Sequence, residues 1–155
     1  MAWELLGSTT LGSSGDVITV DGLTEKNFLT VQIFSIDDGN QNPEITFNND
    51  TSASYAYRTR LNFGNTTATS QNNLYLLADD NGNKNIVLFI SNILNEEKLI
   101  LGRTVFGETG AANIPNNTTY FGKWIESDQI TRMDLTNAFA GDFNAGSQLI
   151  IWGSD

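Results

Sequence analysis

Acid–base and nucleophilic catalysis near neutral pH leans on histidine and cysteine, and this chain of 155 residues has neither. Carboxylates are the only acid–base groups left. They gather at Asp37-Asp38, Asp79-Asp80 and Glu96-Glu97. A glycosidase needs two carboxyl groups flanking one bond at a set separation, and no spacing here brings two together. Each pair stands instead in a turn-forming stretch, where Asp bonds nearby backbone and bends the chain. No enzyme activity is expected.

The single metal candidate is Asp79-Asp80-Asn81-Gly82-Asn83, in which Asp79, Asp80 and Asn83 could offer oxygen to calcium. An EF-hand loop requires glycine at its sixth position, where Lys84 stands, so a plain hairpin is the expected structure. Gly7 to Gly15 is rich in glycine and serine but lacks the Lys-Ser/Thr ending of a phosphate-binding loop. No cofactor is expected. Aromatic side chains are the remaining functional group. Trp3, Tyr55, Tyr57, Tyr120 and Trp124 are the candidates for a contact surface, since a large apolar body with a polar tip suits both subunit contacts and sugar stacking. Trp124 stands out because Lys123 and Glu126 give it polar neighbours.

The elements that must position these groups are strands. Candidates are Trp3–Leu6, Val17–Val20, Phe28–Ile36, Glu44–Phe47, Tyr55–Phe63, Leu74–Leu77, Ile86–Ile93, Leu99–Phe106, Tyr120–Ile125, Ile130–Asn137 and Gln148–Gly153. Asp38-Gly39 and Asn81-Gly82 are hairpin turns by type, because both central residues tolerate positive φ. Only Ser91 to Leu101 offers a competing helix. Strand, a loop over Asn95-Glu96-Glu97, then strand again is preferred, because Leu99-Ile100-Leu101 runs on into Val105 and Phe106.

Alternation marks half-buried strands: Leu29, Val31 and Ile33 share one face, while Thr30 and Gln32 share the other. Ile86 to Ile90 and Leu149 to Trp152 do not alternate and are apolar on both faces. Something must cover their second face, either another layer of the chain or a neighbouring subunit.

Residues 1–155 make one domain by size. A formal net charge of −10 argues against direct binding to nucleic acid or an anionic membrane. No basic, apolar leader and no run of about 20 apolar residues is present, so synthesis in the cytoplasm without a signal peptide is expected. Three Asn-x-Thr triplets, at Asn49, Asn65 and Asn117, then read as ordinary loop sequence.

Several segments taken in order resemble a known group. They are Trp3-Glu4-Leu5-Leu6-Gly7, Leu11-Gly12-Ser13-Ser14-Gly15-Asp16, Phe47-Asn48-Asn49-Asp50, Tyr55-Ala56-Tyr57-Arg58, Glu97-Lys98-Leu99, Gly122-Lys123-Trp124, Gln129-Ile130-Thr131-Arg132 and Gly141-Asp142-Phe143 leading to Gly146-Ser147. The set resembles small β-sandwich proteins of tailed bacteriophages and spans nearly the whole chain. The resemblance implies an all-β, jelly-roll-like antiparallel β-sandwich of about 8 to 11 strands with little or no helix. It also implies a virion structural protein, a homotrimer partnered by the major capsid protein or another virion component. Capsid decoration (cement) is the expected role. The alternative is a tail-fibre or receptor-binding protein that recognises a host glycan or protein, and a free-standing carbohydrate-binding module is a third class. The chain shows no segment to tether it to a tail, which favours decoration. Arg58 and Arg132, outnumbered by acids, are candidates for buried ion pairs.

Overall fold

The computed structural model describes residues 2–36, 41–61, 64–76, 82–107, 110–139 and 141–155. Among them there is no helix. Twelve strands form: β1 (Glu4–Thr10), β2 (Val17–Val20), β3 (Phe28–Ser35), β4 (Pro43–Phe47), β5 (Tyr55–Leu61), β6 (Gly64–Gln71), β7 (Leu74–Tyr75), β8 (Lys84–Ser91), β9 (Lys98–Phe106), β10 (Asn116–Trp124), β11 (Met133–Asn137) and β12 (Gln148–Ser154).

The strands build an eight-stranded sheet, in the order β1-β12-β3-β8-β9-β10-β5-β6, and a four-stranded sheet, β2-β11-β4-β7. Every pairing is antiparallel. Setting β5, β6, β9 and β10 aside leaves eight strands, numbered here by chain order. Half of the large sheet then runs first-eighth-third-sixth, and the small sheet runs second-seventh-fourth-fifth. That is the double wrap of a jelly roll. The remaining four strands extend the large sheet past β8. β9 and β10 pair with each other, β5 and β6 do the same, and β10 joins β5.

The two sheets close over one core. From the small sheet come Ile18, Val20, Ile45, Phe47, Met133 and Leu135; from the large sheet come Leu29, Val31, Ile33, Ile86, Leu88, Leu149 and Ile151, all buried. Each is every second residue of its strand, as the pleat dictates. Gly102 opens a gap in this layer between its cross-strand neighbours Leu88 and Tyr120. A Cβ there would collide with the Leu88 side chain and come within 2.7 Å of the Val87 carbonyl oxygen.

One strand absent from the expected set and one shifted boundary have a physical reason. β6, Gly-Asn-Thr-Thr-Ala-Thr-Ser-Gln, carries no apolar period, because as an edge strand it is solvated on nearly all its residues. β11 starts at Met133 rather than Ile130, since the amides of Thr131 and Arg132 donate to the Asn48 side chain instead of a neighbouring strand. The Ser91–Leu101 stretch is strand, turn and strand, with Asn95 at φ 64° in the turn.

Candidate interaction face

Because side chains alternate, the residues between the core positions of the large sheet all point the other way, and there the chain lays down a second apolar layer. Register puts one row across seven strands: Leu5, Trp152, Thr30, Phe89, Leu101, Phe121 and Arg58. Phe89, Leu101 and Phe121 are 54%, 50% and 51% exposed. Phe28, Phe34, Leu99 and Val105 lie on the same face and are also exposed. No described segment of the chain covers this face. At roughly 150–250 Å² per aromatic side chain, its part-exposed aromatics alone leave several hundred Å² open. The largest apolar patch of an ordinary monomer is about 300–600 Å² in all.

The surface is shaped as well as greasy. A depression of about 390 Å³ is lined by Val87, Phe89, Leu101, Gly102, Arg103 and Thr119. A second lies between Trp3, Phe28 and Phe89.

Charge on the face is unlike the rest of the molecule. Arg58, Arg60 and Arg103 are exposed there, and Arg103 and Arg60 share a row with only Thr119 between them. None of the three has an ion pair or side-chain hydrogen bond among the described residues, in a chain with 18 acids against 8 bases. All three stand on the extension strands. Lys123, also on the extension, pairs with Glu97 at 3.0 Å. The outer side of the small sheet, by contrast, presents Thr19, Glu44, Thr46, Asp134 and Thr136 beside Val17 and Tyr75, and is mostly polar.

Of the five aromatic candidates, Trp3 alone is exposed, at 47%. Tyr55, Tyr120 and Trp124 are buried, at 1%, 3% and 2%, which corrects their reading as contact residues. Polar neighbours in sequence misled, because alternation sends Lys123 outward and its neighbour Trp124 inward. Trp124 stacks with Tyr55 at a centroid distance of 6.3 Å and packs on Phe47 at 5.5 Å. Its Nε1 donates to Asp50 Oδ2 at 2.7 Å. Burial raises the Asp50 pKa, but donors from Ser52, Trp124 and Ser54 outweigh it and hold the carboxyl below its ordinary value. The Tyr55 hydroxyl accepts from the Phe47 amide and donates to the Asp50 carbonyl. Tyr120 Oη accepts from Thr104 and donates to the Leu76 carbonyl, and burial pushes both phenols well above their usual range. Tyr57 turns to the core margin and is half-buried.

Arg58 is likewise corrected: it stands on the open face, not in a buried ion pair. Arg132 does pair, part-exposed, with Asp134 at 2.8 Å and Asp21 at 3.3 Å. The calcium candidates Asp79 and Asp80 lie outside the described residues, as does the Asp38-Gly39 turn. No group of three Asp or Glu side chains that could hold a metal occurs among the described residues, and Asn83 is exposed. No described helix is long and apolar enough to cross a membrane.

The outward apolar residues were visible as the doubly apolar runs at Ile86–Ile90 and Leu149–Trp152. Phe121, Leu101 and the arginines were missed, because only the pairing of β9, β10 and β5 brings them together. No known family model matches the chain, and no curated protein does.

Proposed function

We propose that this protein is an assembly component that works by having the outer face of its large sheet covered by other subunits. In the fuller form of the reading it is a capsid decoration protein of a tailed phage, docking as a homotrimer onto the major capsid protein. The observation that carries it is the largely apolar row from Leu5 to Phe121, left open by the described residues while the opposite face is mostly polar. A body with one apolar and one polar face is suited to lying on a lattice with its polar side to water. Burial is worth about 25 cal/mol per Å² of apolar surface, and a standard interface takes roughly 800 Å² from each partner. Repeated over a shell, such contacts resist rupture.

The virion role rests on the sequence resemblance and on this geometry together, since a fold alone does not assign a function. Purified particles test it. Decoration requires copies on the order of the major capsid protein, and particles lacking the protein should lose resistance to heat and osmotic shock. Absence from the particle, or a handful of copies, contradicts it.

One observation favours a second reading, a receptor-binding tip. Trp152, Phe89 and Phe121 recur on every second strand of one row, roughly 9–10 Å apart from strand spacing. Sugars of an extended glycan stack on aromatics so spaced. Few copies per particle, together with a glycan-array signal lost in Phe89→Ala, would favour the tip over decoration.

A further inference from the structure

Where two loops meet at one end of the extension, Ile93, Leu94 and Ile125 are exposed side by side with Glu96, Glu97, Glu126 and Asp128. The two loops are held in place. Asn95 donates its amide to the Ser127 carbonyl at 2.9 Å. Buried between them, Lys98 Nζ donates to the carbonyls of Ile93 at 2.9 Å, Glu96 at 2.5 Å and Ser127 at 2.9 Å. An apolar knob ringed by carboxylates is thus displayed on a fixed frame, with little ordering left to be done on binding.

Its chemical complement is on the same molecule. Leu101, Phe121 and Val105 form an apolar floor, and Arg58, Arg60 and Arg103 stand around it without counter-charges among the described residues. Knob and floor cannot meet within one chain. Along β9, Arg103 lies five residues from Lys98, roughly 17 Å at the strand rise, and it faces out of the sheet rather than toward its end.

We infer that the occupant of the arginine-bearing half of the face is a second copy of this chain, seated by its 93–97 and 125–128 loops. The inference rests on the assembly reading and specifies its contact. Such a contact joins unlike patches, so it propagates from copy to copy and closes into a ring when the rotation allows. Face-to-face packing of two large sheets with the twofold axis across the strands is disfavoured, because it opposes arginine to arginine. The half of the face without arginines, around Leu5, Phe28, Phe89 and Trp152, then stays free for the lattice.

Charge reversal in two separate chains tests this. One variant carries Arg58→Glu, Arg60→Glu and Arg103→Glu; the other carries Glu96→Lys and Glu126→Lys. Folding of each is checked by circular dichroism and melting. Where a reversal unfolds the chain, the neutral set Glu96→Gln, Glu126→Gln or Arg58→Gln, Arg60→Gln, Arg103→Gln replaces it, with weakened assembly expected in place of loss.

By analytical ultracentrifugation, wild type should form a discrete oligomer and each reversed variant alone should be monomeric. An equimolar mixture should assemble with the two variants alternating, in complexes of even number. Both contacts between unlike variants are complementary, arginine face on glutamate loops and glutamate face on lysine loops. All five reversals in one chain should restore the oligomer. Wild-type assembly by the loop variant alone, with no rescue on mixing, overturns the inference in favour of face-to-face packing and leaves the assembly reading standing. A wild type monomeric at every concentration also overturns it, and the particle count then judges lattice docking separately.

Discussion

At the scale of single residues, two carboxylates anchor the jelly roll. Asp50 accepts from the buried indole of Trp124, so Asp50→Ala strands that donor and should cost about 1–3 kcal/mol in a denaturant melt. Asp50→Asn, which keeps an acceptor oxygen, should cost less. Burial pushes the Asp134 carboxyl up, but hydrogen bonds from Arg132 and Thr19 and the Arg132 charge outweigh it, and its pKa falls below 3.8. A folded pKa held below the unfolded one contributes stability above the ordinary value and loses it as pH falls through the folded value. Asp50 and Asp155 share that sign. Glu44, raised by burial, has the opposite sign and favours the fold as it protonates. The net expectation is loss of stability as pH falls from about 5 through the carboxylate range, with a shallower slope in Asp134→Asn. Chemical denaturation at stepped pH measures it.

Elements carry the next level of explanation. Most strands were legible because alternation is a local property: Val17–Val20 matches to the residue, and the strand–turn–strand at Ser91–Leu101 follows from the run Leu99 to Phe106. β6 was not legible, since a polar edge strand has no period to detect. Nor was the extension, whose existence depends on β10 pairing with both β9 and β5 across long stretches of sequence. Arg58 illustrates the cost. Its strand was expected, but the face it points to depends on which layer the other side meets. Two tests belong here. Gly102→Ala drives a Cβ against Leu88 and the Val87 carbonyl and should destabilise by about 1–3 kcal/mol or more, while Gly12→Ala, with open space around it, should be near neutral in the same melt. Hydrogen exchange should find β6 amides far less protected than those of β8 and β9, which have partners on both sides.

The whole molecule is a two-faced body, mostly polar over the small sheet and apolar over the large one, where three arginines have no ion pair among the described residues. Net charge of −10, read alone, describes a uniformly acidic surface, yet Arg58, Arg60 and Arg103 gather on one face. Leu101→Asp puts a charge in the centre of the apolar row, where a partner must desolvate it, yet leaves the core untouched. The melting temperature should change little, while assembly weakens by tenfold or more, a cost of about 1.4 kcal/mol or above. Ile114→Asp, at a position 88% exposed and off the sheet, should assemble as wild type does. Light scattering over a concentration series reads both.

Hydroxyl-radical footprinting of the assembled protein against the dilute monomer tests the covered face most directly. Oxidation of Phe121 and Leu101 should drop several-fold on assembly, while Ile114 stays fully reactive and Phe89 and Trp152 become protected only when the oligomer docks on the particle. Undiminished oxidation of Phe121 and Leu101 in the assembled state would contradict the account.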